Sequence, residues 1–489
     1  MASSVTGVGS ISSAGIGSGL DVATIVTRLM SIERLPLTAL QTQASDLGSK
    51  LSVMGTLKSN YAAMQTKANA LVSPTLWNST TASASDSTVA SVATSTSASA
   101  GSYQLAVNKL ASTQTVIGAA VANSAATFSA GSLTIELGSY GDGSPATDFT
   151  PKSGAAAVTI SIGDGDTSLT GLRDKINSSS AGVSASIVTD ASGSRLSLRS
   201  RETGSENAFR INATEARDDG NTATGLSALV FDATQASSAM QRTSTAGNAD
   251  LTLNGIAISS ASNTLTNVVD GLTLSLQKTT AANAPVTVTV KVDTASVKTA
   301  ITEFVTAFNT LASYIHTQTA YNADSKVAGQ LQGDQGALGM QSQLRGAINQ
   351  GSTASSTWGR LSEIGFTLKT DGTLDTNAVK LDNALGNLTE LRTLLTTDAS
   401  TAGGSGFVRR FKSLADAALG SDGAIDTRNV GLQSSVARNT KAQDSLQLRL
   451  TATEARIRAQ YTALDTQMAT LNATAAYVKQ QFTSSSSTA

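Results

Sequence analysis

The sequence predicts an α+β multidomain fold. Terminal helices form a coiled-coil stalk and a helical leg, and two β-rich head domains, one inserted in the other, fill the middle. Three observations predict it. The 489 residues exceed what one hydrophobic core organises, so roughly three or four domains are expected. Apolar residues recur with a helical period near both ends and with period two from about Trp77 to Val292. The two helical ends also carry matching seven-residue spacings, although the whole β-rich middle separates them.

Residues 1–19 are rich in Ser, Gly, Val and Ala without a sustained period, which predicts disorder in the free protein. They lack a basic start and an apolar core segment, so no cleaved secretory signal is expected. From Leu20 a helical stripe begins, with Ile25, Leu29 and Ile32 on it and Asp21 as an acidic N-cap. Pro36 interrupts or restarts this helix. Beyond it Leu40, Leu47, Met54, Tyr61 and Ala68 are seven apart, and Leu57, Met64 and Leu71 form an adjacent row. That is a coiled-coil-like helix, ended by Ser73-Pro74.

The middle alternates apolar and polar residues. Tyr103, Leu105 and Val107 do so, as do Leu133, Ile135 and Leu137, and Val286, Val288 and Val290. Asn254-Gly255 is a two-residue hairpin signal. One helix interrupts the strands, with Ser168 as its cap and Leu169, Leu172 and Ile176 as its face. Ser/Ala/Gly stretches near 118–131 and 232–248 suggest where one β-rich domain crosses into another.

Helical periodicity returns with Ile301, Phe304, Val305, Phe308, Leu311 and Ile315. Helices follow over Leu338–Ile348, Leu381–Leu395 and Phe407–Leu419, with a hairpin turning at Asp371-Gly372 and another turn at Asp422-Gly423. In the last helix Leu450, Ile457, Leu464, Leu471 and Val478 form one heptad row and Tyr461, Met468, Ala475 and Phe482 the other. Glu454 is the misfit in this seam. From Leu450 to Phe482 the helix would run about 50 Å.

These periods divide the chain into an assembly region at 1–39, a helical leg at 40–76 with 296–440, and an outer head domain at 77–117 with 240–295. The inserted head domain takes 118–239, and a C-terminal coiled-coil helix with its tail takes 441–489.

Composition narrows the function. Charged residues make up 14 %, aromatics 4 %, and the formal net charge is -1, so no electrostatic footprint for nucleic acid or acidic membranes exists. No apolar run reaches the ~20 residues that span a bilayer. There is no cysteine, which excludes disulfides and Cys-ligated zinc. His316 is the single histidine and reads as structural. Gly15, Gly17 and Gly19 lack the preceding strand and following lysine of a phosphate loop. Asp164, Gly165 and Asp166 lack the rest of an EF-hand and read as a turn. No metal, cofactor or catalytic set emerges, and the reading is non-enzymatic.

Five ordered motifs carry a family resemblance. They are Gly15-Ile16-Gly17-Ser18-Gly19-Leu20-Asp21-Val22, then Gly101-Ser102-Tyr103-Gln104-Leu105-Ala106-Val107, then Leu172-Arg173-Asp174-Lys175-Ile176-Asn177. Ile364-Gly365-Phe366 with Asp371-Gly372, and Ser421-Asp422-Gly423-Ala424-Ile425 with the Arg456–Gln481 helix, complete the set. In this order they resemble the bacterial flagellar filament cap family, also called the hook-associated protein 2 family. The stretch 116–160 matches nothing diagnostic.

The resemblance implies a structural part at the filament tip that promotes flagellin insertion and elongation, leaving the cell through flagellar type III export. It implies as partners a small ring of its own copies, flagellin, hook–filament junction proteins and an export chaperone for the C-terminal helix, with no cofactor. The candidate assembly residues are Leu20, Ile25, Leu29, Ile32, Leu450, Ile457, Tyr461, Leu464, Met468, Leu471, Val478 and Phe482. Two alternatives stand beside this reading: another axial flagellar protein, or a surface adhesin binding host glycan or mucin.

Overall fold

A computed structural model describes residues 21–485, apart from Ser325 and Ala402. The described chain forms two compact units. One joins the residues up to Leu76 with those from Thr294 onward, and the other is Trp77–Asp293.

The first unit opens with α1 (Val22–Glu33) and α2 (Leu35–Val72). Arg34 ends one helix and begins the other, with Pro36 in the first turn of α2, where its missing N–H costs no intrahelical bond. The two heptad rows of α2 are its core face: Met54, Leu57, Tyr61, Met64, Ala68 and Leu71 are its buried residues. A single turn, α3 (Pro74–Trp77), leads out of it.

The Trp77–Asp293 unit holds two cores. In the outer one, a five-stranded sheet runs in the order Thr80–Ala84, Val286–Val292, Gly101–Lys109, Ala249–Leu253, Ile256–Ser260. A three-stranded sheet (Thr264–Thr266, Leu272–Leu276, Ala90–Thr94) faces the same core, which includes Leu105, Val107, Leu251, Leu274 and Val288. Leu253 pairs with Ile256 across Asn254 (φ 51°) and Gly255 (φ 82°), so both central residues of the hairpin are left-handed, as a type I′ turn requires.

The inserted part has its own core, built around Leu133, Ile135, Leu196, Leu198, Phe209 and Ile211. One of its sheets pairs Gly131–Tyr140 with Ala208–Glu215, Phe149–Pro151 and Val158–Ile162. The other runs Gln241–Ser244, Thr115–Ile117, Gly193–Ser200, Val183–Asp190. Helix α4 (Leu169–Ser178) adds Leu169, Leu172 and Ile176 to this core, and Ser168 Oγ caps it by accepting from the Gly171 N–H at 3.0 Å.

This pairing corrects the boundaries drawn at 117/118 and 239/240. Thr115–Ile117 and Gln241–Ser244 pair with each other inside the inserted sheet. The crossing lies where Ser112 and Gly247 bridge, because the Ser/Ala/Gly stretches near 118–131 and 232–248 are largely loops of the insertion itself.

The chain then completes the first unit with α5 (Thr294–Thr319), α6 (Gln335–Asn349), α7 (Ala378–Leu385), α8 (Leu388–Thr396), α9 (Phe407–Leu419) and α10 (Ala424–Ser485). Phe411 of α9 packs at a steep angle against Phe304 and Phe308 of α5, with centroids 5.6 and 5.2 Å away, and anchors this core. Arg410 of α9 is buried over the Phe407 ring. Its guanidinium donates to the carbonyls of Ser405, Gln350 and Gly351, which replace its lost water.

Three expectations for this unit change. Leu381–Leu395 is two helices, because Gly386 ends the first and Asn387 caps the second by accepting from the Glu390 N–H. The boundary at 440/441 falls inside α10, which starts at Ala424 directly after the Asp422-Gly423 turn, since no breaker intervenes. The boundary at 39/40 falls inside α2 for the same reason. At 62 residues, α10 is about 93 Å long.

Candidate assembly interface

Helix α10 has two stretches with different surroundings. In the proximal stretch, α1 and the start of α2 lie antiparallel to it. Arg34 Nη2 meets Glu454 Oε2 at 3.2 Å, and further along Asn439 Nδ2 donates to the Leu40 carbonyl at 3.1 Å and to Gln43 Oε1 at 2.8 Å. Gln443 Nε2 in turn donates to Asn439 Oδ1. Asn439 is therefore a buried amide in a helical seam whose polar atoms all have partners. On both sides of the Arg34–Glu454 pair, Val22, Val26, Met30 and Leu450 form an apolar cluster, with Leu37, Leu446, Ile457 and Tyr461 packed on it. Glu454, the misfit of the heptad, is explained by Arg34: it sits where the α1–α2 break delivers a cation.

The N-terminus of α1 is capped as expected. Asp21 accepts from the Thr24 hydroxyl at 2.6 Å and the Thr24 N–H at 3.0 Å, and these bonds hold its carboxyl below the usual carboxylate range.

The distal stretch of α10 carries the same repeat at the surface. Leu464, Met468, Leu471, Val478 and Phe482 are all exposed, Leu471 to 62 %. Between Tyr461 and Val478 the sequence holds a single charged residue, Asp465. A solvent-facing helix ordinarily alternates its apolar stripe with charge. Here the exposed apolar stripe has almost no charge beside it.

The sequence-derived assembly residues thus fall into three groups. Leu464, Met468, Leu471, Val478 and Phe482 line the exposed seam. Leu450, Ile457 and Tyr461 pack within this chain against α1. On α1 the inward stripe is Val22, Val26 and Met30, while Leu29 and Ile32 point outward and Ile25 is half-buried. Both stripes of α1 are apolar at helical spacing, so periodicity did not tell them apart. Leu20 lies outside the described residues, as do Gly15, Gly17 and Gly19. The residues that sequence reasoning missed are Val22, Val26, Met30, Arg34 and Asn439. The first three were detectable as an i, i+4, i+8 row.

The chemical candidates fare differently. His316 is exposed on α5 rather than packed as a structural histidine. Asp164–Asp166 forms a short 3-10 turn, and Asp166 pairs with Lys175 at 3.0 Å. Among the described residues, Glu215, Asp218 and Asp219 bring carboxylates within 4.8 Å of one another. Their oxygens already accept from Ser227, Gly220 and Asn221 N–H groups of their own loop. No helix among the described residues is long and apolar enough to cross a membrane.

The fold and this surface define a class: a mixed helix-and-sheet chain with β-rich domains in the middle of its sequence and a long C-terminal helix that exposes an apolar seam. The chain belongs to the flagellar hook-associated protein 2 family. Residues 18–114 match the model of that family's N-terminus, 246–473 the model of its C-terminus, and 139–202 the flagellin hook IN motif. It is 34 % identical to flagellar hook-associated protein 2 of Escherichia coli over 98 % of this chain and 99 % of that protein. It is 31 % identical to B-type flagellar hook-associated protein 2 of Pseudomonas aeruginosa, covering 92 % and 93 % of the two chains. The crystal structure of the D1-D2-D3 domains of the flagellar cap protein FliD from Escherichia coli superposes with a TM-score of 0.58. It has 31 % identity and covers 78 % of this chain and 99 % of that one.

Proposed function

We propose that this protein caps the tip of the bacterial flagellar filament as a small ring of its own copies, where it promotes flagellin insertion and elongation. The observation that carries the reading is the exposed distal seam of α10, Leu464 to Val478, in a chain of the hook-associated protein 2 family. Apolar heptads left in water gain stability only when a neighbouring helix covers them. In this reading the seam binds helices of adjacent cap subunits or of the filament end, flagellin and the hook–filament junction proteins. The β-rich domains then form the surface past which subunits are delivered.

The role is structural and non-enzymatic and uses no cofactor. Export through the flagellar type III channel completes the proposal, with a chaperone shielding the C-terminal helix beforehand. A chain without cysteine and with few aromatics is suited to that passage, because nothing cross-links it and its cores are light to unfold.

The test is a chain truncated after Ala463, which removes the exposed stretch and keeps Leu450, Ile457 and Tyr461 on α1. Expressed in cells lacking their own cap protein, it should be soluble and folded by circular dichroism yet fail to restore filaments or swimming. Restored motility would overturn the proposal. Electron microscopy of the full chain should show small closed particles, and long self-made filaments would favour a filament subunit instead.

A further inference from the structure

The second sheet of the inserted domain ends at the strand Val183–Asp190, and its outer edge is half closed. The Gly182 carbonyl accepts from the Arg201 N–H at 2.9 Å, so even-numbered residues turn their backbone groups toward the neighbouring strand. Val183, Ala185, Ile187 and Thr189 therefore turn theirs outward.

At Ala185 both outward groups are occupied by one side chain. Asn177 Nδ2 donates to the Ala185 carbonyl and the Ala185 N–H donates to Asn177 Oδ1, each at 2.8 Å. A carboxamide making this pair of bonds reproduces what one residue of an added strand would offer. Arg201 extends the seal, donating from Nε to the Val183 carbonyl and from Nη2 to the Asn177 carbonyl, both at 3.0 Å. Among the described residues no hydrogen bond reaches the outward backbone groups of Ile187 and Thr189, and Val188 is 52 % exposed. Asn177 is held in place because Leu172 and Ile176, on the same helix, are fully buried.

We propose that Asn177 is a strand stopper: its side chain closes this edge against the same edge of a second copy. An exposed strand edge templates pairing with another chain. With Ala185 sealed, only Ile187 and Thr189 remain to pair, too short a run for a stable ladder. Freeing Ala185 would open a five-residue stretch, the length of an ordinary strand. The partner excluded is a second copy, because the edge is self-complementary when two such strands meet antiparallel about Ile187. The inference stands on the edge geometry and is independent of the capping proposal.

Two measurements test it. In the unsubstituted full-length chain, hydrogen exchange at the Ala185 amide should be at least tenfold slower than at Ile187 and Thr189; equal rates would overturn the seal. For pairing, the absence of native cysteine makes Val188→Cys a clean reporter for a short bis-maleimide cross-linker. Adding Asn177→Ala, with folding checked by circular dichroism, should raise cross-linked dimer at least fivefold over Val188→Cys alone. Asn177→Asp keeps the acceptor for the Ala185 N–H and places a charge on the edge, so it should stay at the Val188→Cys level. Unchanged cross-linking in folded Asn177→Ala would sink the proposal. If Asn177→Ala does not fold, the exchange ranking in the unsubstituted chain decides.

Discussion

Leu450 and Leu471 occupy the same heptad position of α10, three repeats apart, yet Leu450 is 4 % exposed and Leu471 62 %. The residue type, the helix and the spacing are the same. What differs is a partner supplied by the chain more than four hundred residues away: α1 covers the helix near Leu450, whereas Leu464, Leu471 and Val478 stand exposed. A heptad row marks a face that wants covering and says nothing of who covers it. The proximal seam therefore contributes to the stability of this chain, and in the proposed reading the distal seam serves association.

That contrast can be broken by substitution. The largest effect should come from Leu464→Glu with Leu471→Glu, which places charge in the exposed seam. Self-association measured by light scattering should weaken at least 100-fold, while the thermal midpoint of the monomer, taken at concentrations too low for association, stays within about 2 °C. A fall in the midpoint beyond that would mean the distal seam is internal core after all.

Leu450→Ala should do the reverse. Removing a buried leucine costs about 2–5 kcal/mol, so α1 amides should exchange faster while association by the distal seam persists. Asn439→Ala removes the donor to the Leu40 carbonyl and Gln43 Oε1, and should cost about 1–3 kcal/mol, read as a lowered urea midpoint. Glu454→Gln should cost less than ~1 kcal/mol, because its ion pair with Arg34 is substantially exposed.

The smallest effect belongs to Asp21. Its folded carboxyl is held low by Thr24, so its cap contribution is present above the unfolded carboxylate range, around pH 4. That contribution is lost as pH falls through the lower folded value. Protection of the α1 N-terminal amides, taken relative to their intrinsic exchange rates, should fall as the pH drops below about 4, and Asp21→Ala should remove that step.

Local signals were legible where one residue type has one dominant use. Asn254-Gly255 turned out as the hairpin its φ preference demands, Ser168 as the cap of α4, and Met54, Tyr61 and Ala68 as the core face of α2. Signals failed where two outcomes share one pattern. Ile25, Leu29 and Ile32 have helical spacing as good as that of Val22, Val26 and Met30, and only contact with Leu450 and its neighbours distinguishes inside from outside. Thr115–Ile117 is too short to declare its sheet, and its place was settled by hydrogen bonds to Gly193–Ser200 and Gln241–Ser244.

By itself the sequence determined the helical ends, the β-rich middle and the seam of α10, because backbone preference and side-chain period act over a few neighbouring residues. The tertiary structure alone decided which part of that seam is spent within the chain and where the inserted domain begins. It also decided that Asn177 faces a strand edge. Each of these depends on residues distant in sequence meeting in space, and no local period records such a meeting.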